Sequence, residues 1–204
     1  MTTVKKDHLR AAFANGLLKL GFEKRKGMLC KPISGGALIR VGLNATRFRD
    51  GSVSGLVIVG VRFDDVYQEG LRLGAFPASD GNLSLSSALG YLSNHNDGGA
   101  YYFGAETDSD DVARTLLSEL ERFGLPAVSR LHTVRDALEI VVNNPSRPWT
   151  NVETFVPLAY WCLGDRKRAV DEATISAEKL GLRGEGRRFK AFLEAMQGEM
   201  RPLQ

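Results

Sequence analysis

A chain of 204 residues with 43% hydrophobic and 25% charged side chains has a globular composition and the length to bury a core, which excludes wholesale disorder. Its longest apolar runs, such as Leu56-Val57-Ile58-Val59, are far too short to span a bilayer. Met1 to Asp7 leads into a charged helical pattern with no apolar signal region, so a soluble, cytoplasmic protein with no membrane partner is expected.

The net charge of +3 conceals an uneven distribution: residues 1–62 carry 12 basic and 3 acidic side chains, and residues 63–123 carry 3 and 11. The basic segment either attracts an anionic partner or pairs with the acidic segment of the same chain.

Val4 to Leu20 reads as a helix, because Leu9, Phe13, Leu17 and Leu20 recur at helical spacing. Gly21 stops it and Phe22 folds back as an apolar anchor. Met28 to Ile33 is a short strand. Ala37 to Phe48 and Val53 to Phe63 flank Arg49-Asp50-Gly51-Ser52, a hairpin signature. Odd-numbered Ile39, Val41, Leu43, Val57, Val59, Val61 and Phe63 should face the core. Leu38, Arg40, Gly42, Asn44, Ile58, Gly60 and Arg62 should share the other face. A three-residue turn centred on Gly51 would set Arg40 opposite Arg62 and Gly42 opposite Gly60.

Asp64 to Leu73 reads as a short helix, and residues 74–98 as a long irregular connection with an amphipathic turn at Leu85, Leu89 and Leu92. Ala100 to Ala105 is an aromatic-rich strand. Thr107 to Asp111 starts a helix that runs to Phe123 and ends at Gly124-Leu125-Pro126. His132 to Val142 is another helix, and everything after Val152 reads as helical. Strands first and helices later give an α+β class: an antiparallel sheet packed on the N-terminal helix, followed by a C-terminal helical bundle. Pro145-Ser146-Arg147-Pro148 marks the boundary between an α+β domain, 1–144, and a helical subdomain, 149–204.

No Walker phosphate loop, GxGxxG after a strand, GxSxG elbow, HExxH or kinase signature occurs, so the chain reads as a non-enzyme without a cofactor. Cys30 and Cys162 lie far apart without a CxxC context, and three scattered histidines complete no zinc site. Asn94-His95-Asn96-Asp97-Gly98-Gly99 is the most site-like polar loop. As a calcium loop it fails, since the closing Glu is Ala105. His95 and Asp97 would be the acid–base pair of an enzymatic reading, or plain turn residues.

The binding candidates are basic. Arg40 and Arg62, like charges on one sheet face beside glycines, suit a shared anion or a solvated surface. Asn44, Arg47 and the Lys24-Arg25-Lys26 cluster extend the set. A nucleic-acid site would require aromatic rings interleaved with these cations, and residues 1–62 offer only Phe13, Phe22 and Phe48, the first two needed in the core.

Leu17-Leu18-Lys19-Leu20-Gly21-Phe22-Glu23-Lys24-Arg25-Lys26-Gly27 resembles the opening of a bacterial family of unknown function, in which a helix ends in "LGF-x-K" and an antiparallel sheet follows. The resemblance covers residues 4–126. Members sometimes accompany toxin–immunity or defence genes, so the resemblance implies binding rather than catalysis. Residues 151–181 are similar to a single tetratricopeptide-type helical hairpin, with Tyr160, Gly164 and Ala169 at that repeat's spacing and its early Trp and closing Pro missing. A solitary repeat implies a helical cap rather than a peptide-binding array. The expectation is a non-enzymatic protein-binding module, an immunity or antitoxin-like protein that blocks a partner. Anion or nucleic-acid binding through the basic N-terminal segment is the alternative, and an enzyme using His95 and Asp97 the second.

Overall fold

The computed structural model describes residues 6–25, 28–76, 83–93, 99–144, 149–181 and 185–200. The fold is α+β. The chain divides into two compact units, one formed by Met1–Ile33, Leu38–Val61 and Ser86–Arg130, the other by Ser34–Ala37, Arg62–Leu85 and Leu131–Gln204.

In the first unit, helix α1 (Lys6–Lys19) buries Leu9, Phe13 and Leu17, each worth about 1.5–3 kcal/mol on leaving water. Gly21, at φ +82°, lets the chain turn back. The Phe22 amide then donates to the Leu17 carbonyl at 3.1 Å and the Gly21 amide to Leu18 at 3.1 Å, the paired bonds that close a helix on a left-handed glycine.

Strand β1 (Glu23–Arg25) pairs at once with β2 (Met28–Pro32). Lys24 and Arg25 therefore lie in a strand. Three charged, exposed residues suit a short sheet edge. β2 pairs with β3 (Ala37–Arg47), and β3 neighbours β4 (Val53–Phe63). Their burial alternates, with Ile39, Val41, Val57, Val59 and Val61 inside, as period-two patterning requires.

The hairpin turn departs from expectation. The Phe48 amide donates to the Ser52 carbonyl at 2.9 Å and the Gly51 amide to Phe48 at 3.1 Å. The loop is thus centred on Asp50, with Gly51 taking the left-handed position at φ +87°. Opposed numbers sum to 100 at the turn instead of 102, so the turn does not supply the expected Arg40–Arg62 and Gly42–Gly60 pairs. Asp50 prefers the central place because its carboxylate accepts from both the Ser52 amide and hydroxyl, at 2.9 and 2.6 Å.

The supposed irregular connection contains β5 (Leu85–Ala88), which pairs with β4, and the single-turn α3 (Leu89–Leu92). β6 (Tyr101–Phe103) pairs antiparallel with β4 at Val53 to Gly55. Helix α4 (Ser109–Glu119) is capped by Asp108, and it does not end at Gly124-Leu125-Pro126. It passes through a π-helical turn, Leu120–Gly124, into α5 (Leu125–Ser129), with Pro126 in the first turn. Proline there surrenders an amide that has no helical partner anyway. α1 lies against β2 and α4.

The second unit is built around α7 (Val152–Cys162), which packs on α2 (Asp64–Arg72), α6 (Val134–Asn143) and α8 (Arg166–Leu180). α8 in turn packs on α9 (Glu185–Met200). Phe155, Leu158, Ala159 and Trp161 of α7 are buried, as are Phe192 and Met196 of α9. α7 is apolar around most of its surface because helices flank it on several sides. The Trp161 indole donates to the Glu69 carboxylate at 3.2 Å, and Arg72 joins that carboxylate to Glu199 of α9. No helix among the described residues is long and apolar enough to cross a membrane.

Candidate binding face

Register across the first three strands decides which side chains share a surface. Glu23 lies opposite Cys30, and Cys30 opposite Arg40, while Arg25 lies opposite Met28. Directly opposed residues project from the same side, so Arg25, Met28 and Arg40 come together on one face. Asn44, four residues beyond Arg40 on β3, joins them by strand parity. The turn pair Phe48–Ser52 puts even-numbered residues of β3 and β4 on one side, which adds half-exposed Leu38, Leu56 and Ile58. A β-carbon at exposed Gly42 would meet nothing within 4 Å, leaving room there for an approaching group.

Arg40 is half-buried, its guanidinium 3.7 Å from the Met28 sulfur. Arg25 is exposed and paired with Glu23, Nη2 to Oε2 at 3.0 Å, an ion pair that water screens to little net strength. Lys24 lies opposite Leu29, itself opposite Val41, so parity sends it to the other side of the sheet, where it is exposed at the edge. Lys26 lies outside the described residues.

Arg62 has a different setting. It is only 8% exposed, its Nε donates to Asp64 at 2.8 Å, and its guanidinium carbon stands 3.6 Å from the Tyr67 ring centroid. Its charge is answered locally by a carboxylate and a π-face.

Arg47 closes β3 and is exposed, its guanidinium reaching over the turn towards Gly51. Beside it the structure adds residues that the sequence did not bring forward. Phe48 and Tyr102 stack with ring centroids 6.3 Å apart and planes at 26°, and Arg49, the residue after Phe48, is exposed. Tyr102 comes from β6, opposite Ser54 of β4. The aromatic strand pattern of residues 100–105 was the available signal; its juxtaposition with Phe48 was not.

His95 and Asp97 lie outside the described residues. Among the described residues the Tyr101 hydroxyl contacts the Ser93 hydroxyl at 2.7 Å and donates to Glu119 at 3.3 Å. Burial, partly opposed by the Ser93 contact, holds this phenol above its ordinary range, and the nearby Glu119 charge adds to the rise. A cleft of about 510 Å³ runs between α1 and α4, lined in part by Asn15, Lys19, Asp110, Arg114 and Glu121. Its lining carries charges of both signs.

Compared with protein-family models, with curated proteins and with solved structures, the chain matches none.

Proposed function

We propose that this protein is a non-catalytic protein-binding module with an immunity- or antitoxin-like blocking role. Its contact surface in this reading is the sheet face of Arg25, Arg40 and Asn44. The observation that carries it is the interleaving of half-exposed Met28, Leu38, Leu56 and Ile58 with Arg40 on one face of the sheet. Apolar side chains lose water favourably against a partner, and an arginine among them fixes orientation through an acidic group. The basic bias of residues 1–62 favours a partner with an acidic surface and speeds encounter with it.

The test uses the full chain as bait in extracts of the cells that make it, beside Arg40→Ala and Ile58→Asp. A stoichiometric protein held by the parent chain and lost by both variants, with melting temperatures close to the parent's, supports the reading. Retention of the same protein by both variants at unchanged affinity overturns this assignment of the face.

A further inference from the structure

We infer that the tip of the β3–β4 hairpin is a second binding site, for single-stranded nucleic acid, built from Phe48, Tyr102, Arg47 and Arg49. Along β3 Phe48 lies about 26 Å from Arg40, at roughly 3.3 Å per residue, so the tip stands apart from that arginine and adjoins the Asn44 end of the face proposed to meet a protein.

Two large rings are left in water here at a price that folding did not avoid: Phe48 is 43% exposed and Tyr102 60% exposed. Both belong to regular backbone or its turn. Phe48 is set by the turn bond to Ser52, and Tyr102 by the β6–β4 ladder. Their near-parallel planes, at 26°, form a short stack that a planar base can extend. Base–aromatic stacking accepts any base and contributes substantially per base. Duplex bases already stack on each other, so the platform selects unpaired strands.

Phosphates need cations beside the rings. Arg47 and Arg49 are both exposed, and neither takes part in an ion pair among the described residues. Asp50, the acid between Arg49 and Gly51, turns inward to Ser52, which keeps its carboxylate engaged within the loop. The other exposed acid nearby in sequence is Glu106, next to Ala105, whose β-carbon approaches Gly51. An acidic peptide would satisfy the arginines and leave both rings wet; a single strand uses all four side chains. DNA and RNA share the bases and phosphates invoked here.

The experiment measures fluorescence anisotropy of labelled oligo-dT and oligo-U of about 20 nucleotides with the full chain at about 50 mM salt, with duplex DNA and poly-glutamate as competitors. Expected are binding of one or both single strands, weaker competition by duplex and poly-glutamate, and a steep loss of affinity with added salt. Phe48→Ala and Tyr102→Ala should each weaken binding by about 5- to 100-fold, while Tyr102→Phe keeps the parent affinity. Arg47→Ala and Arg49→Ala should each lower the salt slope by about one. Circular dichroism melts of the same proteins confirm folding, since all four side chains are exposed. A preference for oligo-U over oligo-dT, or the reverse, names the natural strand within the proposal. No binding of either strand, equal binding of duplex, or parent-level affinity in folded Phe48→Ala and Tyr102→Ala overturns it. Poly-glutamate as the better ligand overturns it in favour of an acidic protein.

Discussion

Arg62 is committed to Asp64: its Nε donates to Oδ1 at 2.8 Å while its guanidinium lies on Tyr67. Of the two arginines that the hairpin pattern singled out, this one has its counter-charge two residues away in the same chain. Removing the guanidinium would take away a charge-assisted bond and the packing against Tyr67 in a nearly closed environment. Arg62→Ala should therefore destabilise by about 1–3 kcal/mol, measured by urea unfolding. Full stability in that variant would return Arg62 to the set of partner-binding candidates.

Glu199 gives the acid limb of stability a definite sign. The hydrogen bond from Arg72, reinforced by its charge, holds the Glu199 carboxyl below its ordinary range. A depressed folded-state value means that the unfolded chain takes up the proton first as pH falls. The contribution is present above the ordinary carboxylate range and is lost as pH drops through the folded value. Glu199→Gln should melt below the parent at about pH 6, and the gap should close towards about pH 3. The pair is substantially exposed, so the gap should be small. A constant gap across that range would refute the linkage.

Cys162 behaves in the opposite direction. Burial first, then the Glu69 and Asp65 carboxylates, push its thiol up to about 11. The folded protein holds this proton after an unfolded chain has released it, so the thiol's contribution is whole below its ordinary value and declines as pH rises towards 11. Cys162→Ser should flatten the alkaline decline in melting temperature. The native thiol should also react slowly with a disulfide reagent at about pH 8, because the nucleophile is the thiolate. Reaction at the speed of a free thiol would contradict this environment.

Gly90 stands against the backbone of Gly99. A β-carbon at 90 would come within 2.6 Å of the Gly99 carbonyl oxygen, the atom to which the Gly90 amide donates at 3.3 Å. Backbone cannot swing aside as a side chain can, so Gly90→Ala should cost about 1–3 kcal/mol. Gly42→Ala, at a site with open space, should stay within about 0.5 kcal/mol. Comparable melting temperatures for the two variants would show that residues 90 and 99 do not approach so closely.

The local elements were legible in the sequence wherever the cause is local. The spacing of Leu9, Phe13 and Leu17 produces α1, and Gly21 ends it, because helix periodicity and a left-handed cap act within one or two turns. The alternation in residues 37–63 yields the hairpin and its buried side. The α+β class follows from strands preceding helices. The Pro126 stop failed because proline is tolerated in a first helical turn, and a π-helical turn supplied that new start.

What tertiary structure alone decided is which distant residues meet. Strand β1 is three charged residues with no apolar pattern, and it exists because β2 offers a ladder to pair with. Helix α2 belongs with α7, some ninety residues later, through buried packing and the Trp161–Glu69 bond. The centre of the hairpin turn depended on whether Asp50 or Gly51 stood in the middle, and two hydrogen bonds to Ser52 settled it. Tyr102 stands beside Phe48 only because β6 pairs with the start of β4. Propensity and periodicity are short-range properties of the chain. Register and helix packing are fixed by burial summed over many contacts far apart in sequence, and so are the surfaces on which binding depends.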